Sequence, residues 1–192
     1  AWFVSAVDFS FFYLVPLLTI FGAYLLIARP RLFREAAGAF FLAAIIMLAG
    51  WLAFPVLSPN DRFVDNVYNL PVLPEAQQYV ERYQPQEEIL AFWEKIYASR
   101  KNMEIFPTTA IPSAHVVWAV FLVYYSWRVW KWLLAVSLPF GILATFGTNL
   151  FVAHYFVDIL AGVACGAGAI FIARWLARKR EAYLQPARPA IQ

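Results

Sequence analysis

Two histidines and one aspartate are the residues of this chain whose types and spacing suggest chemistry. His154 and Asp158 stand four residues apart in an apolar segment, where an ionisable pair is costly and needs a reason. On a helix, residues i and i+4 share a face, so Asp158 can orient the His154 imidazole and leave its other nitrogen free as a base or nucleophile. His115, the other histidine, begins a second apolar stretch. The pattern favours catalysis at a membrane surface.

The composition indicates an integral membrane protein. Hydrophobic residues make up 62% of the 192 residues, compared with about 45 to 50% in soluble domains. The net charge of +3 is small and the basic residues cluster in short connections, which is typical of membrane orientation and not of a nucleic-acid surface. The single Cys165 excludes an internal disulfide and a cysteine-rich metal site. Its neighbours Gly162, Gly166 and Gly168 suggest close helix packing.

Five apolar segments must position these residues. A helix that crosses a bilayer needs about 20 mostly apolar residues, and the segments lie at roughly 9–28, 36–57, 113–127, 132–151 and 154–177, the third being short. The sequence therefore predicts an all-α transmembrane helix bundle that forms a single domain over residues 1–192. The chain is apolar from its first residue, which suggests that another span precedes it.

The basic residues predict how the bundle is oriented. If the spans alternate in direction, three basic clusters fall on one side, which the positive-inside rule makes cytoplasmic. The C-terminus then lies in the cytoplasm, and both histidines face the extracytoplasmic or lumenal side. The clusters are Arg29, Arg31 and Arg34, then Arg128 and Lys131, and then Arg174, Arg178, Lys179 and Arg180.

A long outer loop, residues 58–112, separates the second and third spans. Within it, residues 86–99 carry apolar and aromatic side chains at helical spacing, including Phe92, Trp93 and Tyr97. We predict an amphipathic helix that lies at the membrane interface. It either packs over the bundle or acts as a lid over a substrate.

The motifs around the histidines resemble the phosphatidic acid phosphatase type 2 superfamily. In its usual pattern, a PSGH-like motif opens one membrane helix and an SRxxxxxHxxxD motif opens another two spans later; here PSAH ends at His115, and His154 and Asp158 follow. The resemblance covers about residues 8–177 and implies a six-helix core whose first helix is missing from this chain. It implies a lipid phosphotransferase or phosphatase that works without a metal or other cofactor.

The chemistry of these residues is consistent with phosphoryl transfer. His154, oriented by Asp158, can attack phosphorus and form a phosphohistidine, while His115 donates a proton to the leaving oxygen and later helps to activate the acceptor. The substrate is expected to be a phospholipid or another lipid phosphate, with an alcohol as a possible acceptor and the bilayer as the surrounding partner.

Departures from the family pattern favour one branch. Thr148 and Gly147 stand where the usual motif has Arg and Ser, and a KxxxxxxRP motif is absent. In its place, Pro59 and Arg62 weakly resemble a segment of the inositolphosphotransferase branch, which includes inositol phosphorylceramide synthases. That resemblance favours transfer to an alcohol over hydrolysis of a lipid phosphate or polyprenyl diphosphate.

Several residues are candidates for binding the phosphate. Ser113 is a suitable N-cap, so the first amides of its helix, at Ser113 and Ala114, form an anion site. Arg62, Arg100 and Lys101 are the candidate cations on the outer loop. Thr148 and Asn149 add neutral hydrogen bonds, unless Asn149 is a packing or turn residue.

Other functions stay open at this point. Two histidines and one aspartate can hold Zn²⁺ with an open position, although no HExxH motif is present. In a transporter or a membrane scaffold, the same polar residues would line a pathway or hold helices together.

Overall fold

The computed structural model describes residues 2–59, 71, 74–75, 78, 110–151 and 153–184, and this part of the chain is a helix bundle. Within these ranges, five helices are described over their full length, and the 3₁₀ turn Lys131–Leu133 joins the third and the fourth. The helices are α1 (Trp2–Ala28), α2 (Pro30–Ala53), α3 (Ala114–Val129), α4 (Leu134–Leu150) and α5 (Phe156–Leu184). The predicted interfacial helix at 86–99 lies outside the described residues, as do Arg62, Arg100 and Lys101.

The predicted membrane bundle is confirmed, with one segment shorter than a full span. α1, α2, residues 131–150 and residues 156–180 are each long and apolar enough to cross a bilayer. α3 has 16 residues, which gives a length of about 24 Å. Its central position gives it the most enclosed surface of the bundle, since eight of its side chains are buried.

α3 is the axis around which the other helices are arranged. It contacts α1, α2, α4 and α5, while α1 packs against α4 and α2 packs against α5. α4 and α5 make almost no direct contact, although only a short bend connects them. The four outer helices therefore form a ring that is open between α4 and α5.

Glycine allows α3 and α5 to approach closely. A Cβ atom on Gly162 would lie 2.8 Å from the Ser113 carbonyl oxygen, and one on Gly166 would lie 3.2 Å from Val120. Gly168 faces open space, with no atom within 4 Å of such a Cβ. The predicted close packing is thus confirmed for two of these glycines and is wrong for Gly168.

Candidate active site

His154 lies in the bend between α4 and α5, and not on a helix. α5 begins at Phe156, so the predicted start of the fifth span at residue 154 is two residues too early. The reason is a local cap: the Tyr155 backbone N–H donates to Asp158 Oδ2 at 2.8 Å. Tyr155 is thereby the N-cap residue and Asp158, at the third helical position, closes the first turn.

Asp158 connects this cap to the imidazole. Its side chain is fully buried, and Oδ2 also lies 3.4 Å from His154 Nδ1. That distance exceeds the usual 2.7 to 3.2 Å of an N–H···O hydrogen bond, so the two groups are in contact without being bonded in this geometry. Such contacts often tighten only when substrate is bound. The arrangement leaves Nε2 of His154 as the nitrogen turned from the carboxylate.

The last turn of α4 fixes the backbone of His154. The Asn149 side-chain amide donates to the His154 carbonyl at 2.8 Å, and the Thr148 carbonyl accepts the amides of Ala153 and His154, both at 3.0 Å. The Thr148 side chain is fully buried, and its hydroxyl donates to the Thr145 carbonyl at 2.7 Å. Both residues therefore stabilise the bend. For either side chain to donate a hydrogen bond to phosphate, as predicted, it would first have to release the carbonyl to which it donates here.

His115, the second residue of α3, is held between aromatic rings. Its imidazole stacks on the Phe11 ring, with centroids 4.3 Å apart and planes 5° from parallel, and Trp118 lies on another side at 5.2 Å. Phe11 belongs to α1 and packs on Gly147, where a Cβ atom would approach it to 2.9 Å. Sequence reasoning missed Phe11, because an aromatic residue within an apolar span carries no distinguishing signal.

The start of α3 is joined to the start of α5. The Ser113 N–H donates to the Asp158 carbonyl at 3.1 Å, and His115 and His154 are near enough to interact electrostatically. Ser113 occupies the predicted N-cap position, but its hydroxyl makes no capping bond. That hydroxyl is buried and has no hydrogen-bond partner in the described part of the chain. The structure thus brings His115, His154 and Asp158 to the same end of the bundle, beside Ser113 and Ala114.

The described arginines and lysines all lie away from this end. They follow α1, surround the α3–α4 connection or belong to the last turns of α5. A cation for the phosphate would therefore come from residues that the structure does not describe, such as Arg62 or Lys101. Within the described ranges, no three His, Cys, Asp or Glu side chains are grouped as metal ligands would be.

An apolar groove of about 690 Å³ leads away from the bend. It fills the opening between α4 and α5, and α3 forms its floor. Asn149 and Phe156 line it beside the site, and Trp127 and Leu134 line it near the other end of the helices. Its rim is exposed, with Phe156 69% and Ile142 48% accessible. The groove therefore opens sideways, toward the lipid around the bundle.

Comparison with known proteins identifies the family. A family model described as the PAP2 superfamily matches residues 2–172, which is most of the chain. No curated protein and no solved structure matches the chain significantly. Members of this superfamily are membrane-bound phosphatases and phosphotransferases. The chain belongs to the PAP2 superfamily, and it is an integral membrane enzyme of the phosphatase and phosphotransferase class.

Proposed function

We propose that this enzyme moves a phosphoryl or phospho-head group from a phospholipid to an alcohol, through a phosphohistidine at His154. One observation carries the proposal. His154 is clamped through its backbone at one end of the bundle, with Asp158 on its Nδ1 side and His115 close by. A nucleophile, its orienting carboxylate and an acid–base group are thereby assembled from two helices and the bend that precedes one of them.

In the first step, His154 Nε2 attacks phosphorus and the bond from phosphorus to the leaving oxygen breaks. His115, in its protonated form, donates a proton to that oxygen, and Asp158 stabilises the positive charge on the phosphorylated imidazole. In the second step, the acceptor hydroxyl attacks phosphorus and gives its proton to His115. The nitrogen–phosphorus bond then breaks, and both histidines return to their starting states.

The apolar groove supports a lipid substrate. Its volume suits an acyl or isoprenoid chain, and its lining is almost wholly apolar, with Val120, Ile142 and Val163 among the residues that form its walls. Because its near end is formed by Asn149, which also holds the His154 carbonyl, a lipid tail in the groove places its head group at the bend. Apolar binding remote from phosphorus helps to orient the reacting atoms.

The packing of α4 supports assignment to the inositolphosphotransferase-like branch. Thr148, which stands where the common motif has arginine, is fully buried, and Gly147 beside it is packed against Phe11. A guanidinium at position 148 would have no room without movement of these helices. The phosphate charge is instead assigned to Arg62 and Lys101 of the outer loop, together with the amide of Ala114. The predicted contribution of the Ser113 amide is dropped, because that N–H already donates to the Asp158 carbonyl.

The proposed intermediate can be trapped. Enzyme mixed with a phospholipid labelled on phosphorus and quenched in alkali should retain label in a base-stable, acid-labile form, as a phosphoramidate does. His154→Gln should carry no label. His115→Gln should slow labelling by about 10² to 10⁴ with an ordinary lipid, but far less with an activated aryl phosphate, whose leaving oxygen needs no proton. Equal labelling of His154→Gln and the wild type would overturn the mechanism.

The acceptor is tested separately by product analysis. Turnover with and without polyol or lipid alcohols should yield a transfer product, at the expense of any hydrolysis product. Rapid release of free phosphate from a lipid monophosphate, unchanged by any alcohol, would assign the enzyme to the lipid phosphatases while leaving the role of His154 intact. Absence of both products, with the protein folded, would favour a transporter or scaffold.

A further inference from the structure

Arginines surround a second cavity, at the end of the bundle opposite the His154 bend. The cavity has a volume of about 610 Å³ and lies between the α1–α2 turn, the end of α3 and the last turns of α5. Arg174 follows Asp158 by 16 residues on α5, which places it about 24 Å from the candidate active site. The charged residues that line the cavity are Arg29, Arg31, Arg128, Arg174, Arg178 and Glu35.

Among the described residues, the positive charge in this cavity is largely uncompensated. Glu35 is the one carboxylate among the described lining residues, and it pairs with Arg128 at 3.0 Å. Arg174 is half-buried, and no carboxylate in the described part of the chain lies within ion-pair distance of it. Its hydrogen-bond partner in this part of the chain is neutral, because Nη1 donates to the Tyr124 hydroxyl at 3.2 Å. A partly buried guanidinium without a counter-charge is unfavourable, and a bound anion would relieve that cost.

The arginines are also held in place before any ligand arrives. The Tyr124 hydroxyl accepts hydrogen bonds from Arg128, at 2.9 Å, and from Arg174, so one oxygen positions guanidinium groups from α3 and α5. The first turn of α2, which begins at Pro30, forms another wall. Amides in the first turn of a helix lack partners within that helix and favour an anion in front of them.

A neighbouring groove adds an apolar element to the site. It has a volume of about 420 Å³ and runs between α2 and α5, with Leu42, Ala173 and Leu176 in its lining. It shares Arg31 and Glu35 with the arginine-lined cavity. A ligand that fills both spaces must combine an anionic group with an apolar chain.

We propose that this end of the bundle binds an anionic phospholipid of the adjacent leaflet, with its phosphate between Arg31, Arg174 and Arg178 and an acyl chain along the groove between α2 and α5. Guanidinium groups suit phosphate oxygens in charge and in geometry. Basic pockets between membrane helices recognise anionic head groups in the same way. The site is independent of the phosphotransfer reaction.

Charge-matched double variants test this site. Phosphatidylglycerol is titrated into purified protein in neutral detergent and retained lipid is counted by native mass spectrometry, with phosphatidylcholine as the neutral reference. Arg31→Gln/Arg178→Gln should raise the apparent Kd for phosphatidylglycerol about tenfold, and Lys131→Gln/Lys179→Gln at most about twofold. Both pairs remove two charges at the same end, but neither lysine lines the cavity or the groove. Thermal unfolding in phosphatidylcholine verifies that each variant is folded.

Inorganic phosphate serves as the second arm, because it shares the charge of the head group but has no chain. Excess phosphate should displace little phosphatidylglycerol from the wild type. Equal loss of lipid binding in both double variants would overturn the proposal in favour of a diffuse surface charge. Full displacement by phosphate would also overturn it, because the cavity would then be a site for the free ion.

Discussion

At the scale of single residues, one carboxylate oxygen of Asp158 contacts two neighbouring groups. Oδ2 accepts the Tyr155 amide that caps α5, and it lies 3.4 Å from the nitrogen of the His154 ring that it is proposed to orient. The carboxylate therefore has a structural role and a proposed electrostatic role, and these differ in what they require. A capping bond needs an acceptor oxygen, whereas stabilising an imidazolium needs a negative charge.

Two substitutions of Asp158 should separate these roles. Asp158→Asn keeps an acceptor oxygen for the Tyr155 amide but removes the charge, so kcat should fall by about 10² to 10⁴ while the unfolding temperature changes little. Asp158→Ala removes both and should also destabilise the protein by about 1 to 2 kcal/mol. Turnover by labelled-lipid assay and thermal unfolding in detergent are the two measurements. Near-normal turnover in Asp158→Asn would show that the residue is only a cap.

The sequence indicated His115, His154 and Asp158 because ionisable residues in apolar segments are conspicuous. It did not indicate how the bend is held. Asn149 and Thr148 stabilise it through one side-chain amide and one backbone carbonyl, and such bonds depend on where α4 ends, which hydropathy does not define to within a turn. Phe11 was missed because phenylalanine is common in this chain, which has 18 of them. Only its position against His115 distinguishes Phe11 from the others.

At the scale of helices, the α3–α5 contact aligns the site. α3 carries His115, and α5 carries Asp158. The two helices meet at Gly162, where an added Cβ atom would lie 2.8 Å from the Ser113 carbonyl oxygen and 2.8 Å from the Val116 side chain. Because one of these contacts is backbone, a larger residue cannot be accommodated by a rotamer change. The spacing between His115 and Asp158 thus depends on a glycine one turn beyond the aspartate.

Adding one methyl group to each of two glycines in α5 tests this dependence. Gly162→Ala should destabilise the protein by about 1 to 3 kcal/mol through overpacking and lower kcat by forcing α3 and α5 apart. Gly168→Ala adds the same group to the same helix where nothing lies within 4 Å, and it should be neutral or stabilising by up to about 1 kcal/mol. Thermal unfolding and turnover are measured for both. Matching behaviour of the two variants would contradict the assigned contact.

Helix periods and hydropathy were enough to predict the α-helical bundle, but not its internal order. The sequence predicts five apolar segments, of which the third is short, and four helices of the structure are long and apolar enough to span a membrane. What the pattern did not reveal is that α3 is central and that α4 and α5 separate. Nearly every face of these helices is apolar, so the sequence does not distinguish a face that packs on a helix from one that meets lipid.

At the scale of the whole molecule, the described basic residues and the candidate catalytic residues lie at opposite ends of the bundle. The described arginines and lysines are at one end, and His115, His154 and Asp158 are at the other. The positive-inside rule predicts that the arginine-rich end faces the cytoplasm. On this prediction, the proposed reaction takes place on the extracytoplasmic or lumenal side.

Cysteine labelling measures this orientation. In a Cys165→Ala background, Phe54→Cys marks the end of α2 near the proposed active site and Tyr183→Cys marks the last turn of α5; both side chains are exposed. In sealed vesicles with the extracytoplasmic face outward, a membrane-impermeant thiol reagent should label Phe54→Cys directly and Tyr183→Cys only after permeabilisation. The reverse pattern would place the site on the cytoplasmic face.

The opening between α4 and α5 also determines which concentration governs the proposed reaction. A groove that opens sideways receives its lipid by diffusion within the plane of the bilayer, so the reaction rate follows the mole fraction of substrate in the membrane and not its molarity in the suspension. Inert lipid added at constant total substrate then acts as a two-dimensional diluent and slows turnover. For this enzyme, the relevant substrate concentration is therefore the surface concentration of the lipid within the membrane.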